Sequence, residues 1–114
     1  MERDYVKFPK DDNGDVLWAM AQRGDTLTEA REIDFSIVFQ TEEDALQFAE
    51  FLLVNRQKVS LSDLEDNGEY PYDITAHVHM LPTHSNISEY EALLNQNAGH
   101  YNGYIDGWGC FELE

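Results

Sequence analysis

The chain reads as an α+β protein: a ferredoxin-like β-α-β-β-α-β core, one antiparallel four-stranded sheet of order 4-1-3-2, preceded by an extra N-terminal helix. Three observations predict this. Strand-like segments alternate apolar and polar residues with period two, as in Ile33, Phe35, Ile37 and Phe39 against Asp34, Ser36, Val38 and Gln40. Segments with helical spacing fall between the strands, at 42–55 and 87–98. Each strand is apolar on one side only, so helices are expected on one face and none on the other. The 114 residues bound a single domain over 1–114, with residues 1–8 irregular.

Taken in order, Pro9 ends the irregular start, and Asp11-Asp12-Asn13 supplies N-cap side chains. Val16, Leu17 and Met20 give a helical stripe with Ala21 beside it, and Gly24 is a natural residue to follow the helix end. Residues 25–31 link to the first strand. Thr41-Glu42-Glu43-Asp44 resembles a capping box with acids at the positive helix end, ahead of Ala45, Phe48, Ala49, Leu52 and Leu53. Val59 and Leu61 alternate with Ser60 and Ser62 as a short strand, and Asp66-Asn67-Gly68 has turn chemistry. Tyr72, Ile74, Ala76, Val78 and Met80 form the inner face of a long strand whose other face carries Asp73, Thr75, His77 and His79. Pro82 ends it. Thr83, Ser85 and Asn86 compete to cap the third helix, which carries Ile87, Tyr90, Leu94 and Ala98 and closes at Gly99. Residues 104–113 are the last strand, where Gly107 and Gly109 signal a bend, a bulge or a close approach.

Charge narrows the function. Seven Lys and Arg stand against 23 Asp and Glu, a formal −16. No Lys or Arg lies beyond Lys58, whereas residues 59–114 carry ten carboxylates. Nucleic-acid binding needs cations to displace counterions from phosphates, so direct DNA or RNA binding is not expected. A basic protein partner is, although the same charge also serves solubility. No apolar run approaches eighteen residues, and the start lacks an apolar signal core, so no membrane span and a cytoplasmic setting are expected. One cysteine makes no internal disulfide.

Three segments carry a resemblance: Arg31-Glu32-Ile33-Asp34-Phe35 before the acid-capped helix, Met80-Leu81-Pro82-Thr83-His84 leading to Ile87, and Asp106-Gly107-Trp108-Gly109-Cys110-Phe111. With Phe8-Pro9-Lys10-Asp11-Asp12 they resemble the family of regulators of ribonuclease E activity, type B, from about Phe8 to Phe111. The resemblance implies a small acidic cytoplasmic protein, not an enzyme, that binds a ribonuclease E-like partner and inhibits RNA processing by protein contact. The chain is shorter at its N-terminus than the better-known members and stops at Glu114 without their long acidic tail, so it looks closer to the compact ones.

Parity puts Asp34, Ser36, Thr75, His77, His79, Trp108 and Cys110 on the uncovered face. Trp108 is either a desolvated anchor for a partner, with Asp106, Asp34, His77 and His79 around it, or a cover for the sheet that folds onto the N-terminal segment. Glu65, Asp66, Glu69, Glu112 and Glu114 are expected to steer the encounter. Trp18, off its helix's stripe, faces the same choice between anchor and cover. The second reading is a metal-dependent small hydrolase using His77, His79 and Asp34, since imidazoles suit Zn, Ni or Cu. Cys110 is expected to be a half-buried structural thiol, because the first strand separates it from His77 by two inter-strand steps of about 10 Å in all. His84 is expected to hold its turn by hydrogen bonds. No P-loop, dinucleotide glycine pattern or zinc-binding motif occurs, so no catalytic residue, metal or cofactor is predicted. A monomer or a homodimer closed over the uncovered face both fit.

Overall fold

The computed structural model describes residues 2–63 and 68–110. Its elements run α1 (Asp12–Gln22), β1 (Arg31–Phe39), α2 (Glu42–Val54), β2 (Lys58–Asp63), β3 (Tyr72–Met80), α3 (His84–Ala98) and β4 (Gly103–Cys110), with a 3-10 turn at Gly99–Tyr101 before β4. The strands form one antiparallel sheet in the order β2-β3-β1-β4. This is the predicted 4-1-3-2 order read from the other edge. No helix among the described residues is long and apolar enough to cross a membrane.

Each helix starts where a short polar side chain replaces a missing backbone acceptor. Asp11 Oδ1 accepts from Gly14 N at 2.7 Å, Thr41 Oγ1 from Asp44 N at 3.2 Å, and Thr83 Oγ1 from Asn86 N at 3.1 Å. Thr83 thus prevails among the three competing caps of α3. The ends of α1 and α2 close in one way. Gly24 N bonds Ala21 O and Asp25 N bonds Met20 O; Arg56 N bonds Leu53 O and Gln57 N bonds Leu52 O. Gly24 takes φ +103 at no steric cost, but Arg56 takes φ +64 with a side chain attached.

The core lies between the helices and one sheet face. Ile33, Phe35, Ile37 and Phe39 of β1 and Ile74 and Ala76 of β3 are sealed under Leu17, Met20, Ala45, Phe48, Leu52, Ile87, Leu94 and Ala98. Aromatic pairs knit the layers: Phe39 to Phe48 with ring centroids 5.3 Å apart, and Phe35 to Tyr90 at 4.9 Å. Burial raises the Tyr90 phenol's pKa, and its hydroxyl donates to Gln57 Oε1 at 2.6 Å.

Two local expectations change, at Val16 and at Gly99. Val16 is 45% exposed, and Gly14 joins Leu17 and Met20 as the buried residues of α1. A Cβ on Gly14 would stand 1.8 Å from Pro9 O, so only glycine lets the N-terminal segment lie against the helix. Gly99 is right-handed and does not close α3; the chain continues into the 3-10 turn and reverses at Asn102, φ +62. Asn tolerates that region better than most residues.

His84, expected to hold its own turn, instead reaches across to α1. Its Nε2 lies 2.7 Å from Asp11 Oδ2, tying the start of α3 to the cap of α1. The Gly14 N–H and then the His84 contact hold the Asp11 carboxyl below its ordinary range. A depressed folded-state pKa gives stability that is complete above the unfolded carboxylate value of about 3.9 and is lost as pH falls through the folded one.

Two outcomes are expected. Arg56→Gly raises the thermal midpoint, by about 0.5–1 kcal/mol of added stability, because it removes a side chain from a left-handed position; calorimetry reads it. Asp11→Asn keeps the cap but loses the charge, so it is less stable than the parent near neutrality, and the gap closes in denaturant titrations stepped from pH 6 to pH 2.

Candidate protein-binding surface

Alternation along β1 and β3 sends Glu32, Asp34, Ser36 and Val38, with Asp73, Thr75, His77 and His79, to the face without helices. Register then sets the neighbours: Asp34 lies opposite His77, Ser36 opposite Thr75 and Val38 opposite Asp73. On the outer strands, Lys58 and Ser60 face His77 and Thr75, while Gly109 and Gly107 face Asp34 and Ser36. The surface divides in two. At one end, Val38 is fully buried and Asp73 is buried with it. Tyr104, the register neighbour of Val38, stacks edge-on against Tyr70 at 4.7 Å. Asp73 accepts there from Ser36 and from Thr75, the latter at 2.6 Å. At the other end, Glu32, Asp34, Lys58 and His79 stay exposed.

His77 organises the exposed end. Its Nδ1 lies 2.7 Å from Asp34 Oδ1 and 3.0 Å from Glu32 Oε1, and its Nε2 lies 2.8 Å from Ser60 Oγ. With Nδ1–H donating to the carboxylates, Nε2 accepts the Ser60 hydroxyl, and the imidazole is fixed across three strands. Lys58 Nζ reaches Glu32 Oε2 at 3.7 Å. Glu32, Asp34 and His77 bring one ligand-type atom each within 4.8 Å of one another. The expected set of His77, His79 and Asp34 is therefore corrected: Glu32 takes the place of His79, because Glu32 shares the face of Asp34 and its carboxylate turns to His77. A cation bound there would have to replace the hydrogen bonds that His77 Nδ1 already makes.

Trp108 and Cys110 are the larger correction. Ile105 pairs with Ile37 and Gly107 with Ser36, which leaves Asp106 as an extra residue in β4. This bulge inverts the alternation, since side chains swap faces with each one-residue slip. Trp108 then pairs with Phe35 and Cys110 with Ile33, and both pack against the core on the helix side. The Trp108 indole donates from Nε1 to Asn13 Oδ1 at 2.8 Å. Asn13 Nδ2 in turn donates to Ser88 Oγ at 3.0 Å and Glu91 Oε1 at 3.1 Å, so one amide joins β4, α1 and α3. The candidate anchor on the uncovered face is a tie beneath α1. Cys110 is half-buried, as expected, but on the side of the sheet away from His77.

The bulge leaves Gly107 and Gly109 on the uncovered face. Neither has a positive φ, and a Cβ added to either would meet nothing within 4 Å. They lay bare a strip of backbone beside Asp34 and Ser36. Asp106 and Glu69 are exposed. Glu65, Asp66, Glu112 and Glu114, with Phe111, lie outside the described residues.

Sequence reasoning missed Glu32, Ser60 and the buried Asp73, although Glu32 shares the period-two parity of Asp34. The bulge also had a signal. The apolar set Ile105, Trp108 and Cys110 changes parity once, and both glycines occupy the alternate positions.

Compared with known proteins, the chain matches the family model described as regulator of ribonuclease activity B over residues 10–110. No individually curated protein matches it. Most of the chain, including every described helix and strand from α1 to β4, lies within the match, and the chain belongs to the regulator of ribonuclease activity B family.

Proposed function

We propose that this protein is a non-catalytic cytoplasmic inhibitor that binds a basic region of a ribonuclease E-type endoribonuclease through its acidic surface. The family supplies ribonuclease regulation; the mode of binding rests on charge. Glu32 and Asp34 stand half exposed beside the bare Gly107–Gly109 backbone, on a chain whose residues 59–114 hold ten carboxylates and no Lys or Arg. Such a surface attracts cationic segments and repels nucleic acid. The exposed glycine strip supports close approach by a partner's backbone, since no contact within the described residues requires glycine there. Glu69 and Asp106, with Glu65, Asp66, Glu112 and Glu114, add to the attraction.

Inhibition on this reading follows from occupying the basic region that the ribonuclease uses for its RNA or for its assembly partners. The hydrolase alternative rests on the convergence of Glu32, Asp34 and His77 alone. Calorimetry of the protein with the intact ribonuclease tests both. Raising salt from 50 to 200 mM is expected to weaken binding at least about tenfold, and the double change Glu32→Lys, Asp34→Lys to weaken it comparably at low salt. RNA cleavage by the ribonuclease is expected to fall at stoichiometric addition. Salt-indifferent binding, or binding without loss of cleavage, would sink the proposal, and RNA or ester hydrolysis by the protein alone with added zinc would favour the alternative.

A further inference from the structure

The acidic end of the uncovered face can attract a basic partner, but the aromatic groups described on that face, Tyr70 and Tyr104, pack on each other at its other end. The molecule has an apolar cleft elsewhere. It opens at the end of the sheet where β1 begins and β3 ends, has a volume of about 520 Å³, and is walled by Phe8, Leu17, Trp18, Leu27 and Pro82. Pockets that bind are mostly apolar, roughly 300–1,000 Å³, and pre-formed.

The walls of this cleft are held in place. Phe8 and Trp18 lie with ring centroids 5.5 Å apart. Arg3 fixes the Phe8 wall by donating to Phe8 O at 2.9 Å and Pro9 O at 2.7 Å while pairing with Asp15. The opposite wall is the loop 24–28, held by a buried ion pair. Arg31 donates to Asp25 Oδ2 at 2.5 Å and to Oδ1 at 3.1 Å, and Asp25 Oδ1 also accepts from Leu27 N at 2.9 Å. The Asp25 hydrogen bond raises the pKa of the Arg31 guanidinium. Leu27 is thereby kept at φ +59, a left-handed conformation that leucine rarely adopts. Strained residues persist where the surroundings over-determine them, and they gather at binding sites. Leu27 packs partly on the core and lines the cleft with the remainder.

Charge selects the occupant. Residues 2–31 carry seven acids and five Lys or Arg, a net −2, which leaves −14 of the formal −16 to residues 32–114. At the cleft itself, Asp25 is matched by Arg31 and Asp11 is tied to His84, and Lys7 stands at the mouth. A near-neutral apolar cleft on a strongly acidic protein suits a neutral apolar group carried on a cationic chain.

We infer that this cleft is the anchor site of the protein, receiving one bulky apolar side chain (aromatic, leucine or methionine) from a basic segment of the ribonuclease partner. The inference rests on the ribonuclease reading above and adds where, and by what chemistry, the partner is gripped. Hot spots of this kind combine an aromatic-walled pocket with charged surroundings that contribute little once contact is made.

Two variants keep the test independent of folding. Ala21→Phe fills the cleft from α1. Leu27→Asn removes apolar wall but suits the left-handed backbone, so it retains the thermal midpoint of the parent or raises it. With the intact ribonuclease at low salt, each is expected to weaken binding at least about tenfold in calorimetry. Unchanged affinity in both folded variants, with salt-sensitive binding retained, would overturn the cleft inference and leave the acidic-face reading standing. Failure of the parent protein to bind the ribonuclease at any salt concentration would overturn both.

Discussion

One extra residue in an edge strand governs how this molecule is put together. Asp106 has no partner of its own on β1, so everything after it in β4 changes sides. The indole of Trp108 goes inward, where Asn13 takes its N–H and then donates to Ser88 and Glu91. Without that slip, α1 would lose its polar link to the sheet. The tie matters because α1 is the element added to an otherwise complete β-α-β-β-α-β layer, and it needs specific contacts to be held in one orientation. Its other fixings are of the same kind: His84 on the Asp11 cap, and Pro9 seated where Gly14 has no side chain.

The same slip shapes the surface that is left. Had Trp108 faced outward, the uncovered side of the sheet would hold an aromatic beside carboxylates. Instead the acidic end of that side holds carboxylates, a clamped imidazole and bare backbone, with Tyr70 and Tyr104 paired at the other end. On the proposed reading, long-range attraction and short-range grip are then separated, the first residing on the sheet and the second in the aromatic-walled cleft that α1 helps to build. Because α1 depends on Trp108 for its placement, the residue that looked like a contact group acts instead on the position of another tryptophan, Trp18.

Much of the fold was legible in the sequence, because the signals were local and redundant. Alternation in β1 and β3, the hydroxyl cap at Thr41, and Gly24 beyond α1 each have one structural meaning, and the β-α-β-β-α-β order leaves few arrangements for a one-sided sheet. Family membership was legible in the Asp-Gly-Trp-Gly ending and the segments before it. The site was read less well. Parity counted across a bulge gives the wrong face, and Ile105 was the residue that carried the warning. Convergence of Glu32 on His77, and of Arg31 on Asp25, depends on how long side chains turn, which spacing does not specify. The cleft was invisible for a similar reason: its walls come from four separate segments.

The bulge has one more effect, on self-association. In this sheet β4 is an outer strand, and its free edge would otherwise present an even row of amides and carbonyls for another chain to extend. An interrupted ladder, with an acid exposed at the break, makes a poor template for that growth. The irregularity that seats the tryptophan thus also protects the protein from polymerising along its own sheet.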